Sequence, residues 1–301
     1  MSPRPEAVAG IAIDARSVCV ALLSAEGDGQ ALHAIEVREL PKPLFEAPPT
    51  AVDEASLAEA LQGASAALSG KFAAVRVVLP DTVIRSAVLD LDDLPKTEEM
   101  RGALLRWRFA KEWQRPEDAL ECRGAELGED RGKKVYFGQA ADRQWLDSVK
   151  RALATAAIVP WSLNAAAVSR FNCFHDDMVT GAGGALLALD AACWNLQVWD
   201  AQGRVRRVLT RLRVAGAAEY ESIANAVERA ILGYVHEAGG RAVDSLYLNG
   251  GEDEVAGLAA VFKGRLRESA IWLRPDAKVA GSLAGMRTGL APLALAAALG
   301  G

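Results

Sequence analysis

Two aspartates stand at the ends of apolar runs in similar surroundings. Asp14 closes GIAID (10–14) and Asp190 closes GALLALD (184–190). Each is followed by a tight loop, Ala15-Arg16-Ser17 in one case and Ala191-Ala192-Cys193 in the other, and then by another apolar run. A tight loop of this kind can turn several backbone N–H groups toward one point, a nest suited to phosphate oxygens. A carboxylate at the strand end can hold Mg²⁺, usually through water, or orient an attacking water. Further on, DSLYLNGG (244–251) ends in Gly250-Gly251. Two glycines after a strand let the backbone approach a flat adenosine ring closely. The set describes a nucleotide clamp, with Asp14, Arg16, Ser17, Asp190, Ala192, Gly250 and Gly251 as contacts and Asp14 and Asp190 as Mg²⁺ ligands. Taken singly, each aspartate also fits as a plain strand-end turn residue.

The elements that must position these residues repeat. Residues 10–40 read as three short strands separated by turn chemistry, followed by a Pro-rich loop (41–50), an Ala/Leu helix (53–68) and the buried strand VRVVLP (75–80). Residues 184–212 return to strand–Asp–loop–strand–turn–strand, followed by a helix (about 217–237), the strand ending in Gly250-Gly251, a helix (253–267), a strand (270–275) and an apolar helix (288–299). GAGG (181–184) precedes a strand and reads as a linker between the halves. Residues 82–150 break the pattern. They hold a helix opened by Lys96 or Thr97 with Glu98 and Glu99 in its first turn, a polar hairpin tip at 128–134 and an amphipathic helix at 142–156, an inserted α+β subdomain. Trp107, Phe109 and Trp113 on the first of these helices read as core or as a docking face, core being the more common place for such aromatics. The predicted division is 8–80 with 151–180 as first lobe, 81–150 as insert and 181–301 as second lobe.

Composition narrows the partners. The 301 residues are 51% hydrophobic and 24% charged, with net charge −5, which excludes global disorder and any general attraction to nucleic acid. Cys19, Cys122, Cys173 and Cys193 are scattered without metal-ligand spacing and read as buried, reduced thiols. Three histidines, His33, His175 and His236, give little for a His-based site. Residues 1–7 lack the apolar core of a signal peptide, and no apolar run is long enough to span a bilayer. A soluble cytoplasmic chain is expected, with any membrane role coming through a partner.

The order of these segments resembles the actin-like ATPase superfamily. Within it the chain resembles the PilM family of type IV pilus assembly proteins, with the related MSHA-biogenesis and type II secretion cytoplasmic domains. The resemblance runs over about residues 8–300. It is carried by GIAIDARSVCVALL, the segment from LPDTVIRSAVLDLDDLP through RWRFAKEW, IVPWSLNAAAVSRF, ALLALDAACWNLQVWDAQGRVRRVLTRL, YLNGGEDEVAGL and LAPLALAAALG. It implies an α/β fold of the duplicated, ribonuclease H-like kind, two-lobed, with the insert in the first lobe. It also implies an ATP–Mg²⁺ site and a partner, the short cytoplasmic tail of an inner-membrane assembly protein.

The family's loops read Asp-x-Gly, but here Arg16 and Ala192 stand at the glycine positions and Trp194 falls near a threonine position. Asn164 replaces the aspartate that usually begins the connecting helix, and Glu252 stands where a third glycine is common. The second-lobe lid is reduced. A side chain in place of a loop glycine blocks phosphate approach or strains the loop. Trp194 could fill the phosphate volume, Asn164 cannot ligate a metal as a carboxylate, and Glu252 brings negative charge toward a polyanion. Arg16 reads either as a phosphate ligand or as a plug paired with Asp14 or Asp190, the plug being preferred because the other losses coincide with it. The expectation is a pseudo-ATPase scaffold or adaptor at the inner face of the inner membrane, bound there through its partner. The alternatives are an ATP-binding or weakly hydrolysing protein of the same family and a sugar-kinase-like phosphotransferase.

Overall fold

The computed structural model describes residues 7–26, 29–45, 51–67, 74–216, 218–237, 243–265, 270–274 and 290–299. In chain order the elements are β1 (Val8–Ile13), β2 (Ser17–Glu26), β3 (Gly29–Glu39), α1 (Glu54–Ala67), β4 (Ala74–Leu79), β5 (Ile84–Leu91), α2 (Glu98–Trp113), β6 (Leu120–Asp130), β7 (Lys133–Asp142), α3 (Arg143–Thr155), β8 (Ser162–Ala165) and α4 (Ala166–Met178). They continue with β9 (Gly184–Leu189), β10 (Cys193–Trp199), β11 (Val205–Leu212), α5 (Glu219–Glu237), β12 (Ser245–Asn249), α6 (Glu252–Phe262), β13 (Ile271–Trp272) and α7 (Leu290–Leu299).

The sequence repeat is a repeat of topology. One sheet runs β3-β2-β1-β4-β8 and another β11-β10-β9-β12-β13. In each, the first three strands form an antiparallel meander and the last two lie parallel to the first strand. β9 is buried at every position, as is β10, in keeping with their near-continuous apolar runs. A third sheet, β5-β7-β6, is the insert. Thr97 caps α2, its side chain accepting from the Met100 N–H at 3.2 Å, and Leu105, Phe109 and Ala110 face that sheet.

The chain separates into two compact units, Met1–Val83 with Gln144–His175 and Leu273–Gly301, and Ile84–Arg143 with Asp176–Trp272. This grouping differs from the sequence order at both ends of the second half. α7 packs on β1 and β2 of the first sheet rather than with residues 181–274. It is apolar around its whole circumference, so it must be enclosed, and Ala12, Cys19 and Ala21 offer it a flat surface of small side chains. Gly10 makes the approach close: a Cβ there would lie 2.6 Å from the Ala298 nitrogen. Of the insert drawn at 81–150, Ile84–Arg143 groups with the second sheet, where β5 lies against the edge strand β11, while Gln144 onward, with nearly all of α3, groups with the first. Arg206 pairs with Asp90 at 2.9 Å, and Arg204 joins Asp200 at 2.8 Å and Asp130 at 3.6 Å. An open strand edge invites unwanted pairing, and the insert covers this one.

Candidate functional site

The two loops are the same turn built twice. Asp14 donates its N–H to the Ser17 carbonyl at 2.9 Å, and Asp190 donates to the Cys193 carbonyl at 2.8 Å. Leu40, just past β3, donates to the Arg16 carbonyl at 2.8 Å. Arg213, just past β11, donates to the Ala192 carbonyl at 2.9 Å. Asp14 also accepts the Ala15 N–H at 2.6 Å. Among the described non-glycine residues, only Gln114, Arg131 and Ala157 have positive φ, so neither loop is strained by its missing glycine.

Each predicted site residue has a definite place. Asp14 is half-buried at the end of β1, and Arg16 is exposed at the loop tip. Within its unit Arg16 makes no ion pair among the described residues, so the plug with Asp14 expected from the sequence is not formed. Ser17 opens β2 opposite Glu39. Asp190 closes β9, and Ala192 receives Arg213. Asn164 lies in β8 opposite Val78 rather than at the start of the connecting helix, which begins at Ala166. Trp194 does not fill a phosphate volume. It is buried with Leu196 and Val198 among Ile223, Ala224 and Leu248, because alternation along β10 turns these three side chains to the same face.

Gly250 and Gly251 serve packing and capping. A Cβ on Gly250 would meet the Leu189 side chain at 3.3 Å, so the glycine seats the exit of β12 against β9. Gly251 is the N-cap of α6, and its N–H donates to Glu254 Oε2 at 3.2 Å. The helix N-terminus, which could otherwise receive an anion, is thus served by its own carboxylate, with Glu252 and Asp253 beside it in the first turn.

Sequence reasoning missed Arg213. Its Nη1 donates to the Asp190 carbonyl at 2.9 Å, its Nε to Glu219 at 2.6 Å, and its guanidinium also binds Glu254. Burial acts to lower the basicity of this guanidinium, and the bonds to Glu219 and Glu254 outweigh it, so its pKa is raised. One cation therefore ties the second loop to the first turns of α5 and α6. The signal was present in the sequence: a basic residue one position past the third strand of the repeat, followed by glutamates in two helix N-termini.

Asp81 was also missed. It follows the buried strand VRVVLP at the carboxyl end of β4, which runs parallel to β1. Asp81 is almost fully buried, accepts the Ala167 N–H at 3.1 Å and faces Arg170 at 3.9 Å. It fastens the start of α4 to the sheet.

Beside the second loop, the Gly251 N–H at the head of α6 and the Arg213 guanidinium are both engaged by Glu254. Among the described residues no group of three or more His, Cys, Asp or Glu is placed to hold a metal ion.

No family model matches the chain, and no curated protein does. Solved structures do. A PilM–PilN type IV pilus biogenesis complex matches with TM-score 0.72 and 19% identity over 99% of this chain and 98% of that one. A Bacteroides thetaiotaomicron protein with actin-like ATPase fold matches with TM-score 0.60 and 12% identity over 92% and 93%. The cytoplasmic domain of EpsL, an inner-membrane component of the Vibrio cholerae type II secretion system, matches with TM-score 0.51 and 11% identity over 81% and 82%. At these identities the likeness is one of fold, and it agrees with the duplicated meander-plus-parallel sheets: the chain has the actin-like ATPase fold, most like that of PilM among these three.

Proposed function

We propose that this chain is an actin-like scaffold of a type IV pilus or related secretion machine, acting by holding a partner rather than by hydrolysing ATP. The observation that carries the reading is the closure of the second loop by Arg213 and Glu254. A loop whose cation and helix cap are satisfied internally gains little from a phosphate, and binding one would cost the broken pairs and the repulsion of three acidic residues. The fold likeness to the PilM–PilN complex and to the EpsL cytoplasmic domain supports the choice of machine. The partner proposed is the short cytoplasmic tail of an inner-membrane assembly protein, which would place the chain at the inner face of that membrane. Capture of an extended tail by a sheet edge or groove needs backbone hydrogen bonds and side-chain pockets but no nucleotide chemistry.

Retention of both aspartates in the same turn favours a second reading, in which ATP is bound without turnover. Affinity purification with and without the cytoplasmic tail of the candidate inner-membrane assembly protein tests the scaffold reading. Tail-dependent recovery, unchanged by adding Mg-ATP, is the expected result. Equal recovery after the tail is deleted would count against it.

A further inference from the structure

The insert's helix α2 has two faces of different use. Leu105, Phe109 and Ala110 lie buried on the insert sheet. On the opposite side Met100 is 56% exposed and Trp107 51%, with Ala103 exposed and Leu104 half-buried between them. At 3.6 residues per turn, positions 100, 103, 104, 107 and 111 share one face. The stripe is therefore apolar over two turns and closes on Lys111, whose Nζ lies 5.7 Å from the Trp107 ring centroid.

The segment that carries this face is locally basic within an acidic chain. From 96 to 115 there are six basic residues against three acidic ones, although the whole protein carries −5. Arg115 is paired with Asp142, and Arg101 caps the Pro95 carbonyl at 2.7 Å. Lys96, Arg108 and Lys111 are exposed and make no ion pair among the described residues. Glu98 and Glu99 sit at the N-terminal end and Glu112 near the C-terminal end, all exposed, and none of them forms an ion pair with Lys96, Arg108 or Lys111 among the described residues.

We propose that this face of α2 lies on an anionic phospholipid surface. The outer side of a helix is convex and offers no walls to seat a peptide, whereas a bilayer interface is deformable and takes an apolar stripe with a tryptophan and flanking cations. One such stripe gives weak, reversible binding, so it adds a second signal to recruitment through a partner's tail rather than replacing it. The proposal stands whether or not the scaffold reading does, since it concerns the isolated chain and lipid.

The test is flotation of the purified full chain with vesicles of phosphatidylcholine alone and of phosphatidylcholine with phosphatidylglycerol, without any partner protein. Wild type floats with the phosphatidylglycerol vesicles only, less so as salt is raised. Trp107→Ser and Lys111→Glu each reduce that binding by about tenfold or more. Both side chains are exposed, so far-UV circular dichroism and melting stay at wild-type values and the loss is one of binding. Absence of binding to either vesicle overturns the proposal, as does binding that both variants retain. Self-association on ultracentrifugation that Trp107→Ser abolishes, with no lipid binding, overturns it in favour of a second copy. Capture of an acidic peptide without lipid binding overturns it in favour of a protein partner.

Discussion

The Arg213 guanidinium donates to the Asp190 carbonyl at 2.9 Å, closing the second loop with a side chain from the far end of β11. Its other contacts, Glu219 and Glu254, are largely shielded from water. Arg213→Met therefore leaves two poorly solvated carboxylates without their cation. We expect a loss of about 2 kcal/mol, less than for a fully buried pair. Urea unfolding should show it as a lower midpoint with unchanged slope.

Gly10 is needed for the contact of β1 with α7. Gly10→Ala drives a methyl group into the backbone of Ala294 and Ala298. The helix must move away or the sheet must bend, and overpacking of this kind costs about 1–3 kcal/mol or more. Limited proteolysis should then cut near residues 290–299 faster than in wild type, while Gly63→Ala, whose nearest neighbour stands 3.8 Å away, leaves the pattern unchanged.

Asp81 and Arg170 form a buried pair in the first unit. Arg170→Met strands a carboxylate in the interior, at about 3–5 kcal/mol. Asp81→Asn with Arg170→Met removes both charges and keeps an acceptor for the Ala167 N–H. Thermal melts should place the double variant above the single one, and the reverse order would show that the pair is not what holds α4.

The thiols are structural. Burial, aided by the charge of Glu36, pushes Cys19 up to about 12, and burial pushes Cys122 up to about 11. All four cysteines are buried. A group whose pKa is raised on folding holds its proton until the pH passes the folded value. Native protein at pH 8 should thus react slowly with a thiol reagent, and all four thiols should react after denaturation. Fast stoichiometric labelling of the native state would contradict this.

Much of the fold was legible because it repeats. Asp14 and Asp190, each ending an apolar run and followed by a second and third strand, marked both meanders, and Thr97-Glu98-Glu99 marked the start of α2. Trp194 could have been placed from alternation with Leu196 and Val198, but a motif comparison drew it into the phosphate site. Long-range partners were harder to see. Arg213 reads locally as one more basic residue after RVRRVLTRL, and only the fold brings it to Glu219 and Glu254. Residues 290–299 are apolar on every side, which says that they are buried but not on which sheet. For Trp107 the common expectation for an aromatic failed, because Leu105 and Phe109 already fill the inner face of α2.

The central claim is that the second loop is closed to nucleotide, and calorimetric titration of the purified chain with Mg-ATP tests it most directly. The account predicts heats of dilution only, for wild type and for Asp14→Ala alike. Saturable binding in the micromolar range that Asp14→Ala abolishes would contradict it.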